Sequence, residues 1–323
     1  MPEVAVVGDA NVDIIVPYPR FLNPERTKVE YPTPEVVGGG TCANTAVALS
    51  RLGRDVLFAG TVGDDSYGRF TKKDLIEAGV DVDGLVVDRK VNTVGVFAFI
   101  DETGERYLWG WPRDHQSFKE LDWDRLPMKK LAEVSWIHSS GMCLTYAGSS
   151  RDSIIRLFAW ARERGIRTSL DLNLRVDNGE LDSDFAGALN EILPQVDYLL
   201  GSGPEEFAYL GQDNWRENAR NLASNGRVVV ARDGSRGSVG FAQGNAEINV
   251  PAFKVEVADT VGAGDTYNAG FISAILSGEE LTGALRQGNA VSGYEVSHKG
   301  ARHCPDIQQL DDFFNNHELL KEE

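Results

Sequence analysis

Read for period, the chain alternates short apolar runs with stretches of helical spacing. Val4 to Val7 is apolar throughout and closes at Gly8, and Ala43 to Leu52 sets its apolar residues at helical intervals with Gly53 as a stop. Val56 to Val62 predicts a strand, Tyr67 to Ala78 a helix ending before Gly79, Val134 to His138 a strand, and Ser149 to Arg164 an amphipathic helix ending at Gly165. Arg167 to Leu172, Tyr198 to Leu200 and Val228 to Ala231 predict further buried strands. Helical stretches accompany them at Phe185 to Leu193, Pro204 to Leu210 and Trp215 to Asn225. That order implies a mainly parallel sheet sandwiched by helices, an α/β fold.

Two segments break the alternation. Val12 to Val16 leads through a proline-rich link to Thr27 to Tyr31, and Thr93 to Ile100 with Arg106 to Trp111 reads as a hairpin around Asp101-Glu102-Thr103-Gly104. Their Val, Phe, Tyr and Trp content predicts a small second sheet with one apolar face, a lid beside the core. No repeat or linker tract divides the chain. It is expected to be one domain over 1–323, with lid strands from about 12–35 and 91–113.

Composition narrows the class. With 42% hydrophobic and 25% charged residues, and 34 glycines against 12 prolines, the 323-residue chain has the profile of a folded soluble protein. A formal charge of −17 is the wrong sign for gripping a phosphate backbone, so no nucleic-acid partner is expected. The three cysteines, Cys42, Cys143 and Cys304, have no CxxC spacing and point to a reduced interior. With no long apolar run and no basic leader, neither a membrane partner nor a secretory address is expected, and the default is a cytoplasmic enzyme or binding protein.

The stretch richest in chemistry is Val257-Ala258-Asp259-Thr260-Val261-Gly262-Ala263-Gly264-Asp265-Thr266. It follows a strand pattern, Phe253 to Val257, and opens a helix running toward Ser277. Small residues at a helix start leave the first N–H groups of Gly262, Ala263 and Gly264 accessible, which suits an anion such as a transferring phosphoryl group. Asp265 falls in the first turn, where N–H groups and the helix dipole favour the ionised form, placed to take a proton from a hydroxyl. The alternative is a tight turn with Asp265 merely favouring the helix end. A second glycine-rich turn, Gly38-Gly39-Gly40-Thr41-Cys42-Ala43-Asn44, precedes the first helix, and Asn44 offers a polar ligand both a donor and an acceptor.

These two signatures, together with Val6-Val7-Gly8-Asp9-Ala10-Asn11-Val12-Asp13, resemble the ribokinase-like, or PfkB-type, carbohydrate kinases. The resemblance runs from Val4 to about Phe314. It implies a ribokinase-like fold and an ATP-dependent kinase acting on a hydroxyl, most readily a primary alcohol, of a small sugar or sugar-like substrate. By the same resemblance, Asp265 matches the base and the Gly262, Ala263 and Gly264 amides match the hole for the γ-phosphate. Asn11, Asp13, Gly39, Gly40 and Asn44 match substrate-binding positions.

Gly234-Ser235-Arg236-Gly237 resembles the turn at the nucleotide phosphates, with Arg232 just before it, and Asn289 and Lys299-Gly300-Ala301 resemble parts of the adenine wall. The backbone around Asp259, Val261, Glu295, His298 and Gly300 resembles the potassium loops of some members. Where members commonly carry Asn-x-x-Glu near magnesium, this chain has Ser202-Gly203-Pro204-Glu205, so Glu205 is implied to meet the metal through water while the part of Ser202 is open. Thr41 stands where ribokinase has a lysine, and Ser140 and Gly141 stand near its substrate glutamate, which weakens ribose as the acceptor. The implied cofactors are ATP, Mg2+ and, in some members, K+.

Trp109 and Trp111 sit two apart in the hairpin, able to stack on a ligand or to pack the lid against the core or a second lid in a homodimer. His138 and Cys42 read as a satisfied buried histidine and a packing residue. The rival readings are a nucleoside kinase on the same scaffold and a catalytically silent sugar or nucleotide sensor.

Overall fold

The computed structural model describes residues 1–17, 33–100, 106–110, 115–174, 176–177, 179–223, 226–242, 247–300 and 302–320. In chain order these form β1 (Val4–Val7), β2 (Asn11–Pro17), β3 (Glu35–Gly39), α1 (Thr41–Arg51), β4 (Val56–Gly63), α2 (Ser66–Glu77), β5 (Asp81–Asp88), β6 (Gly95–Ile100), β7 (Arg106–Gly110) and α3 (Met128–Leu131). There follow β8 (Trp136–Ser140), α4 (Ser149–Arg162), β9 (Arg167–Asp171), β10 (Val176–Asp177), β11 (Glu180–Leu181), α5 (Ser183–Ile192), β12 (Tyr198–Ser202) and α6 (Trp215–Leu222). The last are β13 (Val228–Arg232), β14 (Ser238–Phe241), β15 (Ile248–Val250), α7 (Ala263–Leu276), α8 (Leu281–Val296) and α9 (Ile307–Asn316).

Nine strands make the large sheet, in the order β15-β14-β13-β12-β9-β8-β1-β4-β5. Its central strands read as continuous apolar runs because both faces are covered: all residues of β1, β4 and β8 are buried. The seven strands from β13 to β5 are parallel, whereas β14 and β15 pair antiparallel at one edge. From β1 the chain first builds toward β5, then returns to build from β8 toward β13. The direction therefore reverses between β1 and β8, the place where such sheets leave a crevice beyond the strand ends. Helix α7 is buried at every position from Thr266 to Ala274, as a helix enclosed by neighbours on all sides must be.

The small sheet has the order β3-β2-β6-β7: β2, β6 and β7 fall on strands expected for the lid, whereas β3 occupies Glu35–Gly39, where the sequence predicts only a glycine-rich turn before α1. Register sorts its two faces. Asp13 pairs with Val96, Ile15 with Ala98, and Ala98 with Leu108, which puts these residues on one face. Ile14, Val36, Phe97 and Trp109 share the other, where Phe97 lies 5.7 Å from the Trp109 ring.

Several expectations are corrected. Phe253 to Val257 is not a strand: Pro251 precedes it, Val257 is exposed, and only Phe253 bridges, to Leu319. Pro204 to Leu210 forms only a short 3-10 turn at Phe207–Tyr209. The strand expected at Val134 begins at Trp136 and reaches Ser140. Thr27 to Tyr31, Asp101 to Gly104, Trp111 and Ala301 lie outside the described residues.

Candidate active site

A cavity of about 310 Å³ opens at the reversal point, with Asp9 and Ala10 from just past β1 and Met142 from just past β8 in its wall. One side is polar and brings together Asp9, Asn11, Asp13, Gly40, Thr41, Asn44, Gly262 and Asp265. The other is apolar and comes largely from the small sheet, through Ile15, Val94, Val96, Ala98 and Leu108. Trp109 is on the opposite face of that sheet and does not line the cavity.

The glycines of the first turn each yield space to a polar group. A Cβ on Gly39 would stand 2.7 Å from the Asp13 carboxylate, and one on Gly40 would stand 2.6 Å from Asn11 Oδ1. On Gly38 it would collide with Asp74 and Arg302. Gly40 also takes φ 96°, a conformation that disfavours side chains. Asp9 closes the start of α1: its carboxylate accepts from the N–H groups of Thr41 at 2.9 Å and Cys42 at 3.1 Å, where Gly40 has no side chain to offer. Asn11 donates to Asp13 at 3.3 Å.

The start of α7 is built differently. Gly262 is the N-cap in the left-handed region, at φ 81°, and no side chain caps the helix. Asp259 braces the preceding loop, accepting from Val261 N–H at 2.9 Å and from Gly300 N–H at 2.8 Å. Asp265 accepts from Asn44 Nδ2 at 2.8 Å, and Thr45 Oγ1 donates to its backbone carbonyl at 3.2 Å. Burial pushes the Asp265 carboxyl well above the usual carboxylate range. The Asn44 N–H pulls it down, the charges of Asp171 and Asp9 push it up again, and Arg232 pulls it down. The expectation that the helix start keeps Asp265 readily ionised is therefore corrected, because desolvation outweighs it.

Arg232 is not a free phosphate ligand. Its guanidinium donates to Asp171 at 2.7 Å, Asn268 Oδ1 at 2.7 Å and the Gly264 carbonyl at 3.3 Å, with Glu206 at 3.4 Å. It acts from beneath, holding α7 to the ends of β9 and β13. Glu205 faces solvent, and its neighbour Glu206 turns inward instead, accepting from Leu174 N–H at 2.7 Å and Ser202 N–H at 2.5 Å. The inward turn follows from the local backbone, since Glu206 N–H donates to the Ser202 carbonyl at 3.0 Å and folds the side chain back. Burial, followed by Asp171, raises the Glu206 carboxyl above its usual value. Asn289 is no open adenine wall either, because its amide donates to the carbonyls of Val250 at 2.9 Å and Pro251 at 3.1 Å.

Gly234 and Gly237 flank a 3-10 turn at φ 56° and 97°, and Arg236 pairs with Asp233 at 2.5 Å. Asp259 and Val261 lie in the loop before α7, Glu295 in the last turn of α8, and His298 and Gly300 just beyond it, tied by Asp259 N–H to Val296 O at 3.1 Å and His298 N–H to Glu295 O at 2.9 Å. Glu295 is buried, and burial pushes its carboxyl up to about 7, with the His303 backbone N–H pulling it down and the Asp259 charge pushing it up. The histidine expected to be satisfied, His138, meets Ser169 Oγ at Nδ1, 2.8 Å away, but among the described residues its Nε2 has no partner, and burial together with Arg232 pushes it down to about 3.

Sequence reasoning missed Asp9, Asp171, Asn173, Glu206 and Arg302. Asn173 donates to Thr41 Oγ1 at 2.8 Å from a strained φ of 37°. A polar pair ending the apolar strand at Asp171 and Asn173 was the available signal; Arg302 offered none.

The profile of the family described as pfkB family carbohydrate kinase matches residues 1–308. The 5-dehydro-2-deoxygluconokinase of Listeria monocytogenes serovar 1/2a is 25% identical over 315 residues, covering 95% of this chain and 94% of its own. The ATP-dependent ribose-1-phosphate kinase of Halopiger xanaduensis is 28% identical over 269 residues, 83% of each chain. Among solved structures, fructokinase with bound ATP from Xylella fastidiosa has a TM-score of 0.83 at 22% identity, covering 98% of this chain and 99% of its own. An E. coli chain described as a Ribokinase II in complex with ATP and Mg2+ has a TM-score of 0.85 at 20% identity, covering 98% and 100%. Likeness at that identity shows a shared fold, with a large mostly parallel sheet and a smaller separate one.

Proposed function

The chain belongs to the pfkB family of carbohydrate kinases, and from there we propose that it moves the γ-phosphoryl group of ATP to a hydroxyl, a primary alcohol, of a small sugar or sugar-like acceptor. The observation that carries this reading is a single one: Asp265 lies in the wall of a polar cavity and in the first turn of an uncapped helix at once. An acceptor hydroxyl in the cavity is thereby next to both a proton acceptor and a set of backbone donors. Asn11, Asp13 and Asn44 hold the acceptor's other hydroxyls, with Gly39 and Gly40 leaving room for that polar side. Asp265 accepts the proton as the new O–P bond forms, and the amides from Gly262 to Gly264 hold the charge on the phosphoryl oxygens. A base with a raised pKa is nearer the operating pH, which favours proton transfer. The small sheet excludes water that would otherwise take the phosphoryl group.

The nucleotide phosphates are assigned to the turn from Gly234 to Gly237. Glu205 suits magnesium, since it forms no ion pair among the described residues while Glu206 is committed to Arg232. Bound there through water, the metal supplies charge neutralisation and bridging of the phosphates. The buried Glu295 carboxylate fits a monovalent cation near Asp259, Val261, His298 and Gly300. We assign the whole chain to one kinase unit, acting in the cytoplasm. No helix among the described residues is long and apolar enough to cross a membrane, and all three cysteines are free and buried. A second copy is the proposed cover for the outer lid face, where Val36, Tyr107 and Trp109 are exposed.

The test is ADP release from MgATP across ketoses, aldoses, sugar acids and nucleosides, with wild type beside Asp265→Asn. One acceptor turned over by wild type and not by the variant is the expected result. No turnover with any acceptor overturns the reading. A nucleoside acceptor is the second reading, favoured by the apolar wall of Val94, Val96, Leu108, Phe118 and Met142. Competition between a free sugar and its nucleoside separates the two.

A further inference from the structure

Asn44 stands between two groups of fixed polarity. On one side Arg302 Nε donates to its Oδ1 at 3.0 Å, and on the other its Nδ2 donates to Asp265 Oδ2 at 2.8 Å. A guanidinium can only donate and a carboxylate can only accept, so one amide orientation satisfies both and the flipped one satisfies neither. Arg302 is itself held from two further elements. It pairs with Asp74 of α2, and its other terminal nitrogen donates to the Gly39 carbonyl of β3 at 3.3 Å. Its side chain is 14% exposed, so the Asp74 carboxylate is what makes a buried guanidinium tolerable. Gly38 is part of the same arrangement, because the arginine and Asp74 occupy the space a Cβ would need.

We propose that Arg302 is a positioning residue for phosphoryl transfer: it locks the Asn44 amide so that Nδ2 always donates to Asp265 Oδ2, leaving Oδ1 to take the acceptor's proton. The assignment rests on Asp265 being the base. Among the described contacts, the arginine reaches Asp265 through Asn44 and by its charge. The charges acting on Asp265 are Asp171 from the end of β9, Asp9 from the loop after β1, Arg232 from the end of β13, and Arg302, which Asp74 of α2 and Asp13 of β2 face in turn. Arg302 and Arg232 thus oppose the carboxylates of Asp9 and Asp171 in their effect on Asp265. Losing Arg302 removes one of the two cations and frees Asn44 to turn its oxygen toward Asp265.

The experiment compares wild type, Arg302→Met, Arg302→Lys and Gly38→Ala in two ways. The first is the pH profile of kcat/KM with MgATP and the acceptor found in the panel above. The second is a carbon NMR titration of the Asp265 carboxyl in the unliganded protein, assigned by its loss in Asp265→Asn. Arg302→Met is expected to lower kcat about 10- to 100-fold with KM within about threefold. Its acid limb and its Asp265 titration are expected to move up by about one pH unit. Arg302→Lys, which keeps charge without the fork, falls between, and Gly38→Ala moves both readouts the same way by displacing the pair. An Asp265 titration and acid limb unmoved in a folded Arg302→Met overturn the proposal, even if kcat falls, since that loss is then only structural. Should Arg302→Met not fold, Gly38→Ala decides by the same two readouts. Should wild type turn over no acceptor, the kinase reading fails, while the NMR titration still tests the clamp.

Discussion

At the start of α1 the first amides are already taken, because the Asp9 carboxylate accepts from Thr41 and Cys42. At the start of α7 no side chain plays that part, although the two turns look alike in sequence. In the first turn the glycines make room for the chain's own polar groups, and the helix end meets an anion supplied by the protein. In the second, Gly262 adopts a left-handed conformation, the helix opens beside a cavity, and among the described residues no side chain caps it. A glycine-rich helix start is therefore not in itself a phosphate site. What separates the two is whether a carboxylate elsewhere in the fold reaches the amides first.

The largest effect that would break this comparison is at Asp265. Asp265→Asn is expected to lower kcat by about 10²- to 10⁴-fold, measured under saturating MgATP and acceptor. It is also expected to raise Tm at neutral pH. The folded-state pKa of Asp265 lies above the ordinary value, so stability is full at acid pH and is lost as pH rises through the folded value. The gap in Tm between variant and wild type should thus open with rising pH and close in acid. A gap independent of pH would contradict the raised pKa.

Next in size is Gly264→Val. A Cβ there would already stand 3.4 Å from the Arg232 guanidinium, so a branched side chain would press on the arginine that holds the Gly264 carbonyl and shift the start of α7. A drop of about a hundredfold in kcat/KM for ATP is expected, with the acceptor's KM nearly unchanged. An equal loss for both substrates would mean that the helix start does not serve the nucleotide side alone.

The smallest is Asp9→Asn, which weakens the internal anion of the first turn. It should cost about 1 kcal/mol in urea unfolding. Because the Asp9 charge raises Asp265, the acid limb of kcat/KM should move to lower pH, opposite to the shift expected for Arg302→Met. A limb moving upward would remove Asp9 from the electrostatics of the base.

The alternation of elements was legible because parallel strands covered on both faces must be apolar along their length, as Val4–Val7 and Val56–Gly63 are. The antiparallel edge escaped notice: Ser238–Phe241 carries a serine and a glycine and gives no such run. Phe253 to Val257 misled for the reverse reason, having strand composition without a partner strand. Asp265 was visible because its chemistry is local, a carboxylate three residues after a helix-capping glycine. Arg302, Glu206 and Asp9 were not, because their roles are set by distant parts of the chain. Asn44 lies 221 residues from Asp265 and 258 from Arg302, and no window of sequence contains all three. Glu205 and Glu206 are a related case, since composition cannot tell which of two adjacent glutamates turns inward.

That long span has a consequence for how the protein comes into being on the ribosome. Every strand of both sheets is complete by Val250, yet Asp265 and Arg302 follow it. A nascent chain emerging from its N-terminus has made all of these strands before the buried helix α7, which must cover them, and Asp265 with it, have been synthesised. Chains cut between Asp265 and Arg302 would hold Asn44 and Asp265 without the guanidinium that fixes the amide between them.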